Sequence, residues 1–194
     1  DDVESRGLGD VYKRQIMSTW NTRGLRGSTL EDMINMTNEN YREKKLALIQ
    51  KIPTPITPVK IEQSTRHITL AYFDKQSTVD YIGSVQGIPV CFDAKECAVR
   101  TFPMMNIHEH QVKFMEDFEN QGGVAFIILF YSHLNESYYI PFRDIKRFYE
   151  RSISGGRKSF TYDELNKDYL LRSAPGALIH YLEGINKDLE SREE

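Results

Sequence analysis

The chain is short of the features that mark secreted, membrane-spanning or disulfide-built proteins. Its 194 residues include two cysteines, Cys91 and Cys97. That is too few for a disulfide framework, and they lack the paired spacing of a zinc site. No apolar run is long enough to cross a bilayer and no signal peptide is present, so a cytoplasmic protein with no membrane partner is expected. Excess positive charge is missing too, with a formal net charge of −3, which at first sight argues against a polyanionic partner. The deficit is local. Residues 183–194 carry five acids and two bases and residues 1–15 carry four acids and three bases, which leaves the body of the chain, residues 16–182, at +1.

Within that body, two segments are each net +4. The first has Arg42, Lys44, Lys45, Lys51, Lys60 and Arg66 against Glu43 and Glu62; the second has Arg143, Lys146, Arg147, Arg151, Arg157 and Lys158 against Asp144 and Glu150. Either is enough for a phosphate-contacting patch if it lies on one face, and either is equally a solvated charged surface. A composition 40% hydrophobic and 11% aromatic suits one globular domain with a sizeable core.

The most telling stretch runs from Gln76 to Lys95 and reads as a β-hairpin turning at Gln86-Gly87. Alternate residues on a strand share a face. Val90, Phe92 and Ala94 therefore form an apolar face, while Cys91, Asp93 and Lys95 form an open one. On the preceding strand Thr78 and Asp80 share a face, and Val79 and Tyr81 turn away. A turn at Gln86-Gly87 sets Asp80 opposite Asp93 and Thr78 opposite Lys95. Two carboxylates directly opposed across strands repel, and a divalent cation reverses that penalty, since Mg²⁺ favours one or two carboxylates plus waters and a phosphate. The same spacing also suits a solvated face carrying an idle Asp–Lys pair.

Along the rest of the chain, residues 28 to about 50 read as a first helix. Ser28 and Glu31 form its capping box, and Leu30, Ile34, Tyr41 and Leu48 contribute to its apolar stripe. Pro53, Pro55 and Pro58 interrupt regular structure. From there to Phe73 the chain mixes β-branched and basic residues in an extended segment too polar to be fully buried. A helix is expected from about His108 to Asn120, closed by Gly122-Gly123, with Gln111, Met115 and Phe118 on one stripe. His108 and His110, two apart on a helix, cannot readily share a metal. Residues 124–130 form a continuous apolar run fit for a strand buried on both faces, with residues 137–140 as hairpin partner and a basic helix from Pro141 to Arg151. The loop from Gly155 to Ser159 is basic and glycine-rich without P-loop spacing, so ATP binding is not implied. Residues 1–16 fit none of these elements. They resemble a translated adapter fragment or a disordered leader, with Met17 a plausible start.

An acid followed by a strand with acid-x-Lys is the pattern of PD-(D/E)xK nucleases. Here it accompanies Arg26-Gly-Ser-Thr-Leu-Glu31, Lys51-Ile-Pro-Thr-Pro55, Ser77-Thr-Val-Asp-Tyr81, Phe92-Asp-Ala-Lys-Glu96, Thr101-Phe-Pro103, His108-Glu-His-Gln111 and Gly156-Arg-Lys-Ser159. In this order and spacing the chain resembles the RecU-type Holliday junction resolvases from about Arg26 to about Tyr181. The resemblance implies an α/β fold with a restriction-endonuclease-like core, a central mixed β-sheet flanked by helices. Residues 17–185 would then be one nuclease domain with a projecting stalk at about 53–76, followed by an acidic tail over 186–194.

The resemblance further implies a homodimer that cuts four-way DNA junctions with Mg²⁺, or Mn²⁺ as substitute, working at the bacterial nucleoid and associated with a RecA-type recombinase. The expected products carry a 5′-phosphate and a 3′-hydroxyl. Carried over by position, Thr78, Asp80, Asp93 and Gln111 match the metal site. Asp80, Asp93 and Lys95 are the catalytic residues, with Lys95 stabilising the transition state. Arg26, Lys51, Lys60, Arg66, Arg157 and Lys158 are candidate DNA contacts. Asp93 stands where many members have Glu, and Val79 where the wider nuclease pattern has Pro; neither departure removes a catalytic atom. The competing expectations are another endonuclease of the same fold, or a junction-binding or recombinase-modulating protein that cuts weakly or not at all.

Overall fold

The computed structural model describes residues 28–73 and 78–193. Helix α1 (Ser28–Glu43) leads to strand β1 (Leu48–Lys51), a hairpin of β2 (Ile56–Glu62) and β3 (His67–Phe73), and a second hairpin of β4 (Tyr81–Val85) and β5 (Ile88–Cys97). Next come β6 (Thr101–Pro103), helix α2 (Glu109–Asn120), strands β7 (Val124–Tyr131) and β8 (Glu136–Pro141), and helix α3 (Phe142–Ile153). Short β9 (Ser159–Thr161) and β10 (Leu170–Leu171) and helix α4 (Tyr181–Glu193) complete the order.

The apolar run becomes β7, buried at every position. It sits inside a six-stranded sheet of order β1-β4-β5-β7-β8-β10. Only β5 and β7 run parallel, with α2 in the crossover between them; the other neighbours are antiparallel, so the sheet is mixed. Both faces are covered. One carries Leu30 and Ile34 of α1, Tyr181 and Ile185 of α4, and Tyr81, Phe92, Phe126 and Tyr139 from the strands. The other carries Val112 and Met115 of α2, Ile145 and Phe148 of α3, and Cys91, Ile127 and Ile140. On the first face the rings of Tyr81, Phe92, Phe126 and Tyr139 stack across four strands at centroid spacings of 4.7, 4.7 and 4.4 Å. A one-residue slip would throw this ladder onto the opposite face, so the ladder pins the register on which the site depends.

The first helix is shorter than its sequence predicts. It stops at Glu43, the chain turns through Lys45 at φ +57°, and residues 48–51 become an edge strand against β4. The local sequence continues with good helix formers, but turning buries Ala47 and packs Ile49 on the core. Tertiary packing overrides a weak local preference. Leu48, expected on the apolar stripe, is 64% exposed on β1. Helix α4 takes in residues 186–193 of the expected acidic tail. Asp188 within it is fully buried and accepts from Tyr139 Oη (2.7 Å), with Arg143 and Arg192 as ion-pair partners. A buried carboxylate needs such a complete set of donors.

The β2–β3 hairpin stands apart as its own two-stranded sheet. None of residues 56–73 is buried, and the pairing is irregular between Pro58 and Ile61, as a strand proline requires.

Candidate active site

The β4–β5 ladder pairs Tyr81 with Phe92, Ile82 with Cys91 and Val85 with Ile88, the register expected from a turn at Gln86-Gly87. It ends at Tyr81. Beyond that point, side chains replace the carbonyls as partners across the two strands. The Asp80 amide donates to Asp93 Oδ1 (3.0 Å), and the Ala94 amide donates to Asp80 Oδ2 (3.0 Å). Each carboxylate thus satisfies a backbone donor of the other strand, and the two acids converge where the strands part. Thr78 is half-buried two residues earlier, outside any strand, and the ladder does not bring it opposite Lys95. The same early end corrects the facing of Val79, which joins the α2–α3 side with Cys91 while Tyr81 joins the α1–α4 side.

Asp93 is fully buried rather than on an open face, because α2 covers it. Gln111 Nε2 donates to Asp93 Oδ2 at 2.8 Å, and Lys95 Nζ lies 2.5 Å from the same oxygen. The Gln111 amide is oriented from both ends. Its Oε1 accepts from the His108 amide at 3.1 Å, so its NH₂ group must face the carboxylate. A flipped amide would set oxygen against oxygen and N–H against N–H. In this arrangement Gln111 presents a donor to Asp93, while its side-chain oxygen accepts from the His108 amide.

Burial raises the pKa of Asp80 from 3.8 to about 6, helped by the nearby Asp93 charge and opposed by the Ala94 amide and Lys95. A carboxylate held at this disadvantage is stabilised by any cation that joins it. Among the described residues no three His, Cys, Asp or Glu side chains gather into a metal cage. A two-carboxylate site instead fits a hard cation that takes its other oxygens from water and phosphate.

Glu31 and Lys51 are ion-paired at the same end of the sheet, where Lys51 pairs with Tyr81 and the Ile52 amide donates to the Asp80 carbonyl (2.7 Å). Glu31 thus faces Lys51 beside the site. The pairing of β1 with β4, a long-range contact, is what brings Lys51 to it.

The other expected DNA contacts divide. Arg26 lies outside the described residues. Lys60 and Arg66 are exposed on the β2–β3 hairpin, Arg66 at its tip with φ +57°. Lys158 is exposed, whereas Arg157 pairs with Glu164. Of the second basic segment, Arg143, Lys146, Arg147 and Arg151 are likewise matched to Asp188, Glu116, Asp144 and Glu164. That segment is largely neutralised within the fold.

The succession α1, β1, β4, β5, α2, β7 makes a mixed α/β core in which one acid, Asp80, stands just before β4 and acid-x-Lys, Asp93 to Lys95, lies on β5. The family described as RecU, Recombination protein U, matches residues 25–187, and the chain belongs to it. It is 38% identical to a Holliday junction resolvase RecU of Leuconostoc mesenteroides, covering 94% of each chain. Identity is 40% with the Lactococcus lactis protein of that name, over 88% of this chain and 84% of the relative. With that of Geobacillus kaustophilus it is 42%, over 73% of each. No helix among the described residues is long and apolar enough to cross a membrane.

Proposed function

We propose that this protein is a Holliday junction resolvase, a metal-dependent endonuclease that places paired, symmetric nicks in four-way DNA junctions. The observation that carries this reading is the convergence of Asp80 and Asp93 at the open end of β4–β5 with Lys95 on the same carboxylate, in a chain that belongs to the RecU family. Asp80 and Asp93 would hold Mg²⁺, with Mn²⁺ as a substitute. A divalent cation there supplies neutralisation of the phosphodiester and a more acidic bound water.

The protein's own groups do the rest. Gln111 holds the buried Asp93 carboxylate in place, and the Ala94 amide does the same for Asp80. Lys95, 19% exposed in its side chain, keeps a positive charge at the mouth of the site, where negative charge grows on the phosphorane. Thr78 stands near enough in sequence to contribute through water. Hydrolysis would leave a 5′-phosphate and a 3′-hydroxyl, ends that a ligase can rejoin. A homodimer would set two such sites about a twofold axis, matching the near-twofold junction. The β2–β3 hairpin would be the stalk that enters the junction's open centre.

The test incubates a four-way junction with a short mobile core, and linear duplex of the same sequence, with Mg²⁺ and either the wild type or Asp80→Ala. Paired nicks on the junction alone, absent with the variant or with EDTA, are the expected result. Tight junction binding without cuts under Mg²⁺ and Mn²⁺ would overturn the enzymatic reading in favour of a binding role. Equal cutting of linear duplex would make the protein a different endonuclease of this fold.

A further inference from the structure

A second feature of the β4–β5 hairpin lies at its far end. Arg42, Lys45, Leu46, Ala47, Leu48, Ser84 and Gln86 line an open cavity of about 280 Å³ where the end of α1, the start of β1 and the β4–β5 turn meet. We propose that this cavity binds a backbone phosphate of a duplex arm, with Arg42 and Lys45 as its cations and Ser84 and Gln86 as its hydrogen-bonding groups. The proposal rests on the nuclease reading and adds to it a second anchor for the DNA, remote from the chemistry.

The cations here are not spoken for. Neither the Arg42 nor the Lys45 side chain makes an ion pair among the described residues, unlike the arginines of α3, and both are exposed. Lys44, the third base of the run, turns away to the Pro175 carbonyl at 3.3 Å. Glu43 and the last carbonyls of α1 bring some negative charge, which Arg42 in the final turn offsets.

Lys45 needs a different explanation. The Leu46 amide reaches the Tyr41 carbonyl (2.9 Å) and the Lys45 amide that of Arg42 (3.1 Å), closing the helix in a Schellman motif. The residue at this position adopts φ +57°, a conformation glycine takes freely and an L side chain resists. Gln86 occupies the hairpin turn at φ +48° beside Gly87 at +93°, where Asn, Asp or Gly is the usual choice. Two long polar side chains thus stand in left-handed backbone positions on one cavity, and strain of that kind gathers at functional sites.

The spacing suits a duplex. Six residues of extended chain separate Gln86 from Asp80, about 20 Å at the usual rise per residue. Along a duplex axis that distance is about six base-pair steps. Edge strand β1 runs between the two ends, from Leu48 beside the cavity to Lys51 beside the site, with its outer edge unpaired among the described residues. A phosphate backbone laid along that edge meets Lys51 at one end and Arg42 and Lys45 at the other.

The test measures binding of a four-way junction and of linear duplex by fluorescence anisotropy over a range of salt, with Ca²⁺ replacing Mg²⁺. The proteins are the wild type, Lys45→Gly, Arg42→Ala/Lys45→Gly, and Arg147→Ala as a control whose cation is already paired with Asp144. Lys45→Gly relieves the backbone while removing the charge, so its melting temperature should hold or rise. Its junction affinity should nevertheless fall about three- to tenfold, with the slope of log K against log salt smaller by about 1, and by about 2 in the double variant. The control should keep the wild-type slope. If Lys45→Gly and the double variant bind with wild-type affinity and slope while the wild type still resolves junctions, the cavity is not a phosphate site and the resolvase reading stands. If the wild type neither binds nor cuts DNA, both fall together.

Discussion

Strands β2–β3 and β4–β5 are both antiparallel hairpins rich in β-branched and aromatic residues, yet the fold treats them oppositely. In β4–β5 every strand has a neighbour on each side, and Tyr81, Val90, Cys91, Phe92 and Asp93 are all buried. In β2–β3 neither strand has an outer neighbour among the described residues, and Ile61, Ile68, Leu70, Tyr72 and Phe73 are each about half exposed or more, from 47% to 75%. An isolated hairpin of this kind is marginal by itself in water. The difference shows that pattern and propensity make a hairpin, while the layers around it decide what the hairpin can do. Two opposed carboxylates survive in β4–β5 because the covering α2 and the neighbouring amides fix them, and no such support exists in β2–β3.

The sharpest way to break this comparison is to remove chemistry from one hairpin. Asp93→Asn and Lys95→Ala should each lower junction cleavage by about a thousandfold or more, the scale of losing a group that stabilises transition-state charge. Far-UV circular dichroism should not change, because β5 keeps its partners on both sides. Cleavage within tenfold of wild type in either variant would detach the chemistry from this hairpin.

Next in size is packing. A Cβ on Gly83 would sit 2.1 Å from the Leu48 carbonyl oxygen and 2.8 Å from Ile49 Cα, both backbone. Gly83→Val should therefore pry β1 from β4 and cost about 3 kcal/mol. That corresponds to a melting temperature about 10 °C lower. Gly87→Ala meets no atom within 4 Å and suffers only from its φ of +93°, so about 1 kcal/mol is expected. Equal losses in the two variants would show that β1 is loosely held.

A third effect is smaller and depends on pH. In the folded protein Asp80 titrates near 6, and in the unfolded chain at its ordinary 3.8. Between those values the folded state binds more protons, so stability falls as pH rises through this window. Without divalent cation, the melting temperature should drop by a few degrees from pH 4.5 to 6.5 relative to Asp80→Asn. Adding Mg²⁺ at pH 7 should restore it, and Mg²⁺ affinity should weaken below pH 6. A flat difference between wild type and variant across that range would contradict the burial and repulsion assigned to Asp80.

Much of this site is legible in the sequence because its logic is local. The period of two along residues 88–95 and the turn at Gln86-Gly87 set Asp80 against Asp93, and the ladder of β4–β5 has that register. What the sequence misleads about is contact between distant segments. Residues 44–50 read as the end of a helix, yet that helix stops at Glu43 and pairing with β4 makes residues 48–51 an edge strand. The ion pair of Glu31 with Lys51, twenty residues on, joins segments that no local pattern relates. Residues 186–194 read as an acidic tail, and within them Asp188 lies buried among Tyr139, Arg143 and Arg192. The expected facing of Val79 fails, and Thr78 falls outside the ladder, for one physical cause: the ladder stops at Tyr81, and periodicity does not reveal where a ladder ends. The donor role of Gln111 follows from its two bonds, to His108 and Asp93, neither of which a residue pattern can express.

The smallest effect on stability bears on the solitary hairpin and separates its two possible meanings. Ile61→Thr and Ile68→Thr exchange exposed β-branched residues, 52% and 47% accessible, for another good strand former. Each should shift stability by no more than about 0.5 kcal/mol, as for surface changes elsewhere, and cleavage chemistry at β4–β5 should proceed at its usual rate once DNA is bound. If β2–β3 enters the junction's open centre, the double variant should still lose preference for four-way DNA over duplex in competition binding. Its melting temperature would stay within about 4 °C of wild type. Unchanged preference would remove the hairpin from junction recognition and leave selectivity to the arms, which the basic cavity at the α1–β1 turn is placed to grip. A large fall in melting temperature would instead mean that its apolar residues are covered in solution, so that the two hairpins differ less than their exposures imply.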